Sequence, residues 1–160
     1  MDSQQNRIWG PALWMVLHSA AAAFKDISLP IKLQKRVVDD EKRIWLGLLL
    51  SLRYSLPCPM CKKHYTQYLA NHPPVLTRDG IQKWLYDLHH DVNVRNGKES
   101  PVSFEHIAEL GYDKTFACSQ LIVTIHRQML MALRIGWSIR EDIQRTFRFL
   151  EELRRYYGFP

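Results

Sequence analysis

No Gly-x-Gly occurs among the seven glycines of this chain. That removes the Rossmann fingerprint and the P-loop, both of which need glycine where backbone closes on phosphate. A nucleotide would have to sit among side chains, on aromatic and histidine residues. Long apolar runs are missing too. The longest lies within residues 44–52 and is bracketed by Arg43 and Arg53, far short of the roughly 20 residues of a membrane span. It reads as a buried helix segment. The opening MDSQQNRIWG has no basic stretch leading into an apolar one, so no secretory signal is expected and a cytoplasmic location is. Cysteine is scarce, with only Cys58, Cys61 and Cys118. An odd count with one close pair is not a disulfide scaffold, and the close pair points to catalysis or metal binding.

Helical periodicity fills the rest, without a convincing strand pair. Pro11 suits the first turn of a helix, where its missing N–H costs nothing, and Leu13, Val16, Leu17, Ala20 and Phe24 then recur at helical spacing. A long second helix opens at Pro30, carries Leu33, Val37, Ile44, Leu48 and Leu52 on one stripe, and breaks near Pro57. A third starts at the cysteine pair with Pro59 early in it and stops near Asn71, before Pro73-Pro74. Thr77 or Asp79 caps a fourth, with Ile81, Trp84, Leu85 and Leu88 on one face and Asn96-Gly97 at its end. Ser103 caps a short fifth helix closing at Gly111. One further helix spans about residues 114–135. The last opens on the capping box Ser138-Ile-Arg-Glu141 and runs to about Tyr157.

The expected fold is all-α, read as a single domain with a core over residues 1–111 and a helical extension over 112–160. Leu121, Ile125, Met129 and Leu133 form one apolar stripe of that extension, and Phe147, Leu150 and Leu153 form another. These faces call for packing on the core or at a dimer interface. The length and the 46% apolar content supply enough side chains for such a core.

The chemistry centres on Cys58-Pro59-Met60-Cys61-Lys62-Lys63-His64. Two cysteines three apart at a helix start close a tight disulfide, and the helix N-terminus and the adjacent lysines favour thiolate. Spacing alone leaves three readings: a redox pair, a zinc site that adds His64 and one of His72, His89 or His90, or an inert pair. Successive helical residues diverge by about 100°, so His89 and His90 do not easily share one metal. A thioredoxin-like fold needs strands around the pair, and here there are helices on both sides. A helical redox pair needs a cofactor to take its electrons. Trp14 and His18, one turn apart, could serve it, as could Trp84, His89, Asn93, Asn96 and Lys98 around the fourth helix. Singly, each also has a core or capping explanation.

The order of these blocks resembles one family. Trp14-Met-Val-Leu-His18 is similar to the W-x-x-L-H of the Erv/ALR flavin-linked sulfhydryl oxidases, Cys58-Pro-Met-Cys61-Lys-Lys-His64 to their C-P-x-C-x-x-H, and residues 89–98 to their H-N-x-V-N-x-x-L-G-K. The resemblance covers about residues 7–100. It implies a four-helix bundle with a short fifth helix, followed here by two additional C-terminal helices. It further implies FAD held by Trp14, His18, His64, His89, Asn93 and Lys98, to which Trp84 and Asn96 are added as candidates, and a homodimer packed through the first two helices. Cys61 would face the flavin and Cys58 the substrate. Electrons would pass from a protein dithiol, delivered by a thioredoxin-like intermediary, to molecular oxygen, with hydrogen peroxide as product. No metal is implied.

Departures from the family pattern point to a divergent branch, such as those of large DNA viruses, with host cytoplasm or virion as location. Leu56 stands where the family has tyrosine before Pro-Cys, and His90 where it has asparagine. Tyr86 replaces a cysteine whose partner near residues 101–103 is also missing, so the disulfide that pins the fifth helix is lost. No second CxxC exists to shuttle electrons. Cys118 is either a small buried hydrophobe or a cross-link between subunits. The net charge of +6 suits an anionic partner or a solvated surface. The alternative function is a zinc-stabilised helical binding module using Arg140, Arg145, Arg148, Arg154 and Arg155 of the last helix. Nucleic acid is not expected, because Glu151 and Glu152 interrupt that basic stripe.

Overall fold

Six helices form among the described residues of the structure, a computed structural model described over residues 3–26, 40–98 and 116–160. They are α1 (Ser3–Ala22), α2 (Asp40–Ser55), α3 (Pro59–Asn71), α4 (Arg78–Arg95), α5 (Cys118–Arg134) and α6 (Arg140–Tyr157). No strand occurs among the described residues, and no described helix is long and apolar enough to cross a membrane. The expected stretch around Pro30, Leu33 and Val37, and the short helix from Ser103 to Gly111, lie outside the described residues.

Local signals account for several boundaries. Pro59 occupies the first turn of α3, after Cys58 as N-cap. Thr77 caps α4, its hydroxyl accepting from the Gly80 N–H. Two boundaries differ from expectation. Helix α1 begins at Ser3 and runs through Pro11. Trp9 is buried and its indole N–H donates to Asn6 Oδ1 at 3.1 Å, so the turn before Pro11 has anchors of its own. Pro11 itself faces outward, where water can take the place of the missing rung. Helix α6 starts at Arg140 behind Ile139, with no side-chain cap. The Ser138 hydroxyl is drawn away to Lys62 Nζ, 2.8 Å distant, so the capping box does not form.

Helix α6 packs along α2, α5 along α1, and α5 and α6 against each other; α4 lies on α1 and α3 on α2. The apolar stripes of α1, α2 and α4 are buried, and they share one core with Ile122, Ile125 and Met129 of α5 and Ile143, Leu150 and Leu153 of α6. Gly47 lets α2 and α6 approach: a Cβ there would fall 2.3 Å from the Phe149 ring. Polar ties cross the same seam. Thr146 is fully buried and lies 2.8 Å from Ser51 Oγ and 2.5 Å from Ser55 Oγ. The two helices assigned to a dimer partner by resemblance therefore have α5 and α6 of their own chain packed along them.

Candidate functional site

Cys58 and Cys61 meet at the start of α3. The Cys58 backbone is extended (φ −159°, ψ 119°), which turns its sulfur back over the helix end, where Sγ accepts from the Cys61 N–H at 3.3 Å. Both thiols are free. They are unequal. The Cys61 thiol donates to Cys58, and with backbone N–H groups and the Asn6 side chain it brings the Cys58 thiol down to about 6 despite burial. The same pairing, together with burial, drives the Cys61 thiol up. Two thiols in hydrogen-bond contact that favour ionisation of one over the other are in the form a dithiol takes before it closes to a disulfide. Cys58 is the more enclosed, at 7% exposure, and Cys61 is half-buried.

A second cluster joins α1 and α4. Trp14 lies flat on His89, with ring centroids 4.1 Å apart and planes within 6°. His18 stacks beside both rings, and its Nε2 is 3.0 Å from His89 Nδ1. Burial lowers His18 to about 4, helped by His89. Burial, then the Lys98 ammonium, lowers His89 to about 4. Both imidazoles are thus neutral near pH 7 and able to donate and accept. Lys98 is exposed and closes the end of α4, its N–H donating to Asn93 O at 2.8 Å. Asn96 is the C-cap of α4.

The remaining candidates go elsewhere. His64 turns to Asp91 of α4, Nε2 to Oδ2 at 2.6 Å, and Arg95 joins the same carboxylate oxygen at 3.3 Å. Asp91 was missed from the sequence; its signal, one turn before Arg95 on a helix face, is common on solvated helices. Trp84 is buried; its indole N–H is taken by His72 O at 2.7 Å and its ring meets Tyr68 edge-on, at the far end of α3. Cys118 is fully buried in the core, and burial pushes its thiol up to about 11. A zinc site at the pair would need His64 and a fourth ligand. Among the described residues no group of three or more His, Cys, Asp or Glu side chains could hold a metal ion. On α6, Arg145 pairs with Asp142 and Arg154 with Glu151, which breaks the basic stripe.

The Erv1 / Alr family model matches residues 11–120. An African swine fever virus protein (isolate Pig/Kenya/KEN-50/1950) named FAD-linked sulfhydryl oxidase is 35% identical over 92 residues, 57% of this chain and 70% of the relative. A probable FAD-linked sulfhydryl oxidase of Acanthamoeba polyphaga mimivirus is 28% identical over 95 residues, 57% of this chain and 60% of the relative. No solved structure gives a significant match.

Proposed function

The chain belongs to the Erv1/Alr family, and we propose that it is an FAD-dependent thiol oxidase that forms disulfides in protein substrates through Cys58 and Cys61. The observation that carries this reading is the adjacent thiol pair at the N-terminus of α3, where Cys58 is the N-cap and its Sγ accepts from the Cys61 N–H at 3.3 Å. The donor set of the second cluster suits FAD. Trp14 offers a flat apolar ring, His18 and His89 offer neutral imidazoles, and Lys98 offers a cation for the diphosphate. His64, held by Asp91, and Asn93 complete the set; Asn96 would act through the helix end, and Trp84 from the core. Bound FAD would supply a two-electron acceptor that hands the pair to oxygen, giving hydrogen peroxide.

The chain's own residues do the thiol chemistry. A substrate thiolate attacks the Cys58–Cys61 disulfide at Cys58; a new S–S bond forms to Cys58 and Cys61 leaves as thiolate. The second substrate thiolate then attacks the substrate sulfur of that mixed disulfide, and Cys58 leaves. The donors around Cys58 stabilise that leaving thiolate. The substrate leaves oxidised, and the enzyme dithiol holds two electrons and the protons for transfer. Because Cys58 shows only a narrow edge, the substrate dithiol has to be presented on an extended or protruding segment, as a thioredoxin-like protein presents it. A second copy of the chain belongs to the proposal as a homodimer, through surface other than that covered by α5 and α6.

The test is direct. Purified protein should be yellow and should consume oxygen with dithiothreitol; Cys58→Ser and Cys61→Ser should each abolish consumption while retaining flavin. A colourless protein carrying zinc would overturn the reading in favour of a binding module.

A further inference from the structure

We infer that the turn between α5 and α6 belongs to the redox centre: Trp137 and Ser138 fix the Lys62 ammonium against the redox helix, which makes Ser138 a positioning residue for the Cys58–Cys61 pair. The inference rests on the redox reading proposed above. It concerns a property of the thiols that is measurable without flavin or turnover.

Lys62 follows Cys61 and lies one helical turn after Cys58, its N–H closing the first rung to Cys58 O at 3.0 Å. A lysine at such a place ordinarily extends into water. Here its Nζ donates to the Trp137 carbonyl and to Ser138 Oγ at 2.8 Å. The acceptors are rigidly presented. Gly136 takes the left-handed conformation (φ +81°), its N–H bonds Leu133 O, and the Trp137 N–H bonds Ala132 O at 2.9 Å. This is a Schellman closure of α5, and it fixes the peptide that carries the Trp137 carbonyl. Ser138 is 8% exposed and precedes Ile139, the N-cap of α6; its hydroxyl serves Lys62, and α6 has no side-chain cap.

The ammonium is within electrostatic reach of the pair. Burial works against its charge, while Asp142 on α6 and the Cys58 thiolate favour it. The attraction is mutual, so a fixed ammonium favours the Cys58 thiolate. Among the described residues, the ionisable groups that act on Cys58 are Cys61 and Lys62 on α3, with Asp142 of α6 acting through Lys62. Residues 135–139 lie beyond the span matched by the family model, so this support is an addition of the C-terminal helices.

The experiment is alkylation of the reduced full-length protein by iodoacetamide across pH, with Cys58, Cys61 and Cys118 followed separately by peptide mass spectrometry. Lys62→Met should raise the Cys58 midpoint by about half a pH unit, the size expected of a partly solvated charge on the next helical turn. Ser138→Ala should raise it by less, and Ser138→Thr, which keeps the hydroxyl, should restore the wild-type midpoint. Buried Cys118 reports on the fold in the same digest. An unchanged or lowered midpoint in Lys62→Met, with Cys118 still protected, overturns the inference. So does a Ser138→Ala midpoint that matches wild type. If Cys118 becomes reactive in Ser138→Ala, the decision passes to Ser138→Thr and Lys62→Met, of which only the latter should shift. Failure of the oxidase reading would show separately, as absence of flavin in the wild-type protein.

Discussion

His18 Nε2 and His89 Nδ1 lie 3.0 Å apart, a bond between α1 and α4 that exists only while one ring donates and the other accepts. A proton added to the accepting nitrogen breaks it and places a charge beside Trp14. Both rings are held down to about 4, below the value of about 6.5 in an unfolded chain. The unfolded state therefore binds more protons between these limits. The contribution is full above pH 6.5 and is lost as pH falls towards 4. For buried His18 it is on the order of 3 kcal/mol, and it is less for half-buried His89. Thermal melts should show the midpoint falling across this window, and His18→Gln should flatten the slope. A melting temperature constant from pH 7 to pH 4.5 would count against the neutral pair.

The thiols should separate by reactivity. At pH 7, iodoacetamide should label Cys58 before Cys61, because the hydrogen bond from Cys61 holds the Cys58 thiol down to about 6 and the thiolate is the nucleophile. Cys118, held up at about 11 by burial, should stay unlabelled until the protein unfolds. Cys118→Ser should leave turnover with a small dithiol nearly unchanged. A loss of about tenfold or more with flavin retained would put Cys118 in the electron path.

What could be read ahead of the structure was what is local. Cys58 and Pro59 at the start of α3, Thr77 at the cap of α4 and Asn96-Gly97 at its end each act within one turn, and the apolar stripes repeat along one helix. The misreadings share a cause in long-range partners. Ser138-x-x-Glu141 has the spacing of a capping box, but Lys62, 76 residues away, takes the hydroxyl. Pro11 has the character of a first-turn residue, but burial of Trp9 carries the helix back past it. Trp14 with His18 was visible as one face of α1. That His89 would lie flat on that face, and that Asp91 would take His64, depended on how α4 docks. Trp84 was grouped with the cofactor residues for its type and position; that its N–H would go to His72 O depended on docking too.

A chain ending at residue 115 should not fold cleanly. Trp45, Leu48 and Leu49 are fully buried in the core that α5 and α6 complete. Each large apolar side chain uncovered costs roughly 1.5–3 kcal/mol, and a few of them exceed a stability of about 5–15 kcal/mol. Sedimentation should show aggregates. A well-folded, fully active dimer of the truncated chain would mean that α5 and α6 are dispensable.

Tyr157 closes the chain onto α2, and its hydroxyl is used twice: it donates to Glu41 Oε2 at 2.6 Å and accepts from Trp45 Nε1 at 2.8 Å. Glu41 is itself buried and receives the Lys25 and Asp26 N–H groups at the end of α1, so one carboxylate ties three segments together. Tyr157→Phe keeps the ring but strands the Trp45 N–H, which has no exposure, and removes one donor from a buried carboxylate. The expected cost is about 1–3 kcal/mol in chemical denaturation, with an unchanged denaturant slope. Trp45→Phe should cost less when made in the Tyr157→Phe protein than in the wild type, because the stranded N–H leaves with the indole. Strict additivity of the two substitutions would show that the hydroxyl does not couple α2 to α6.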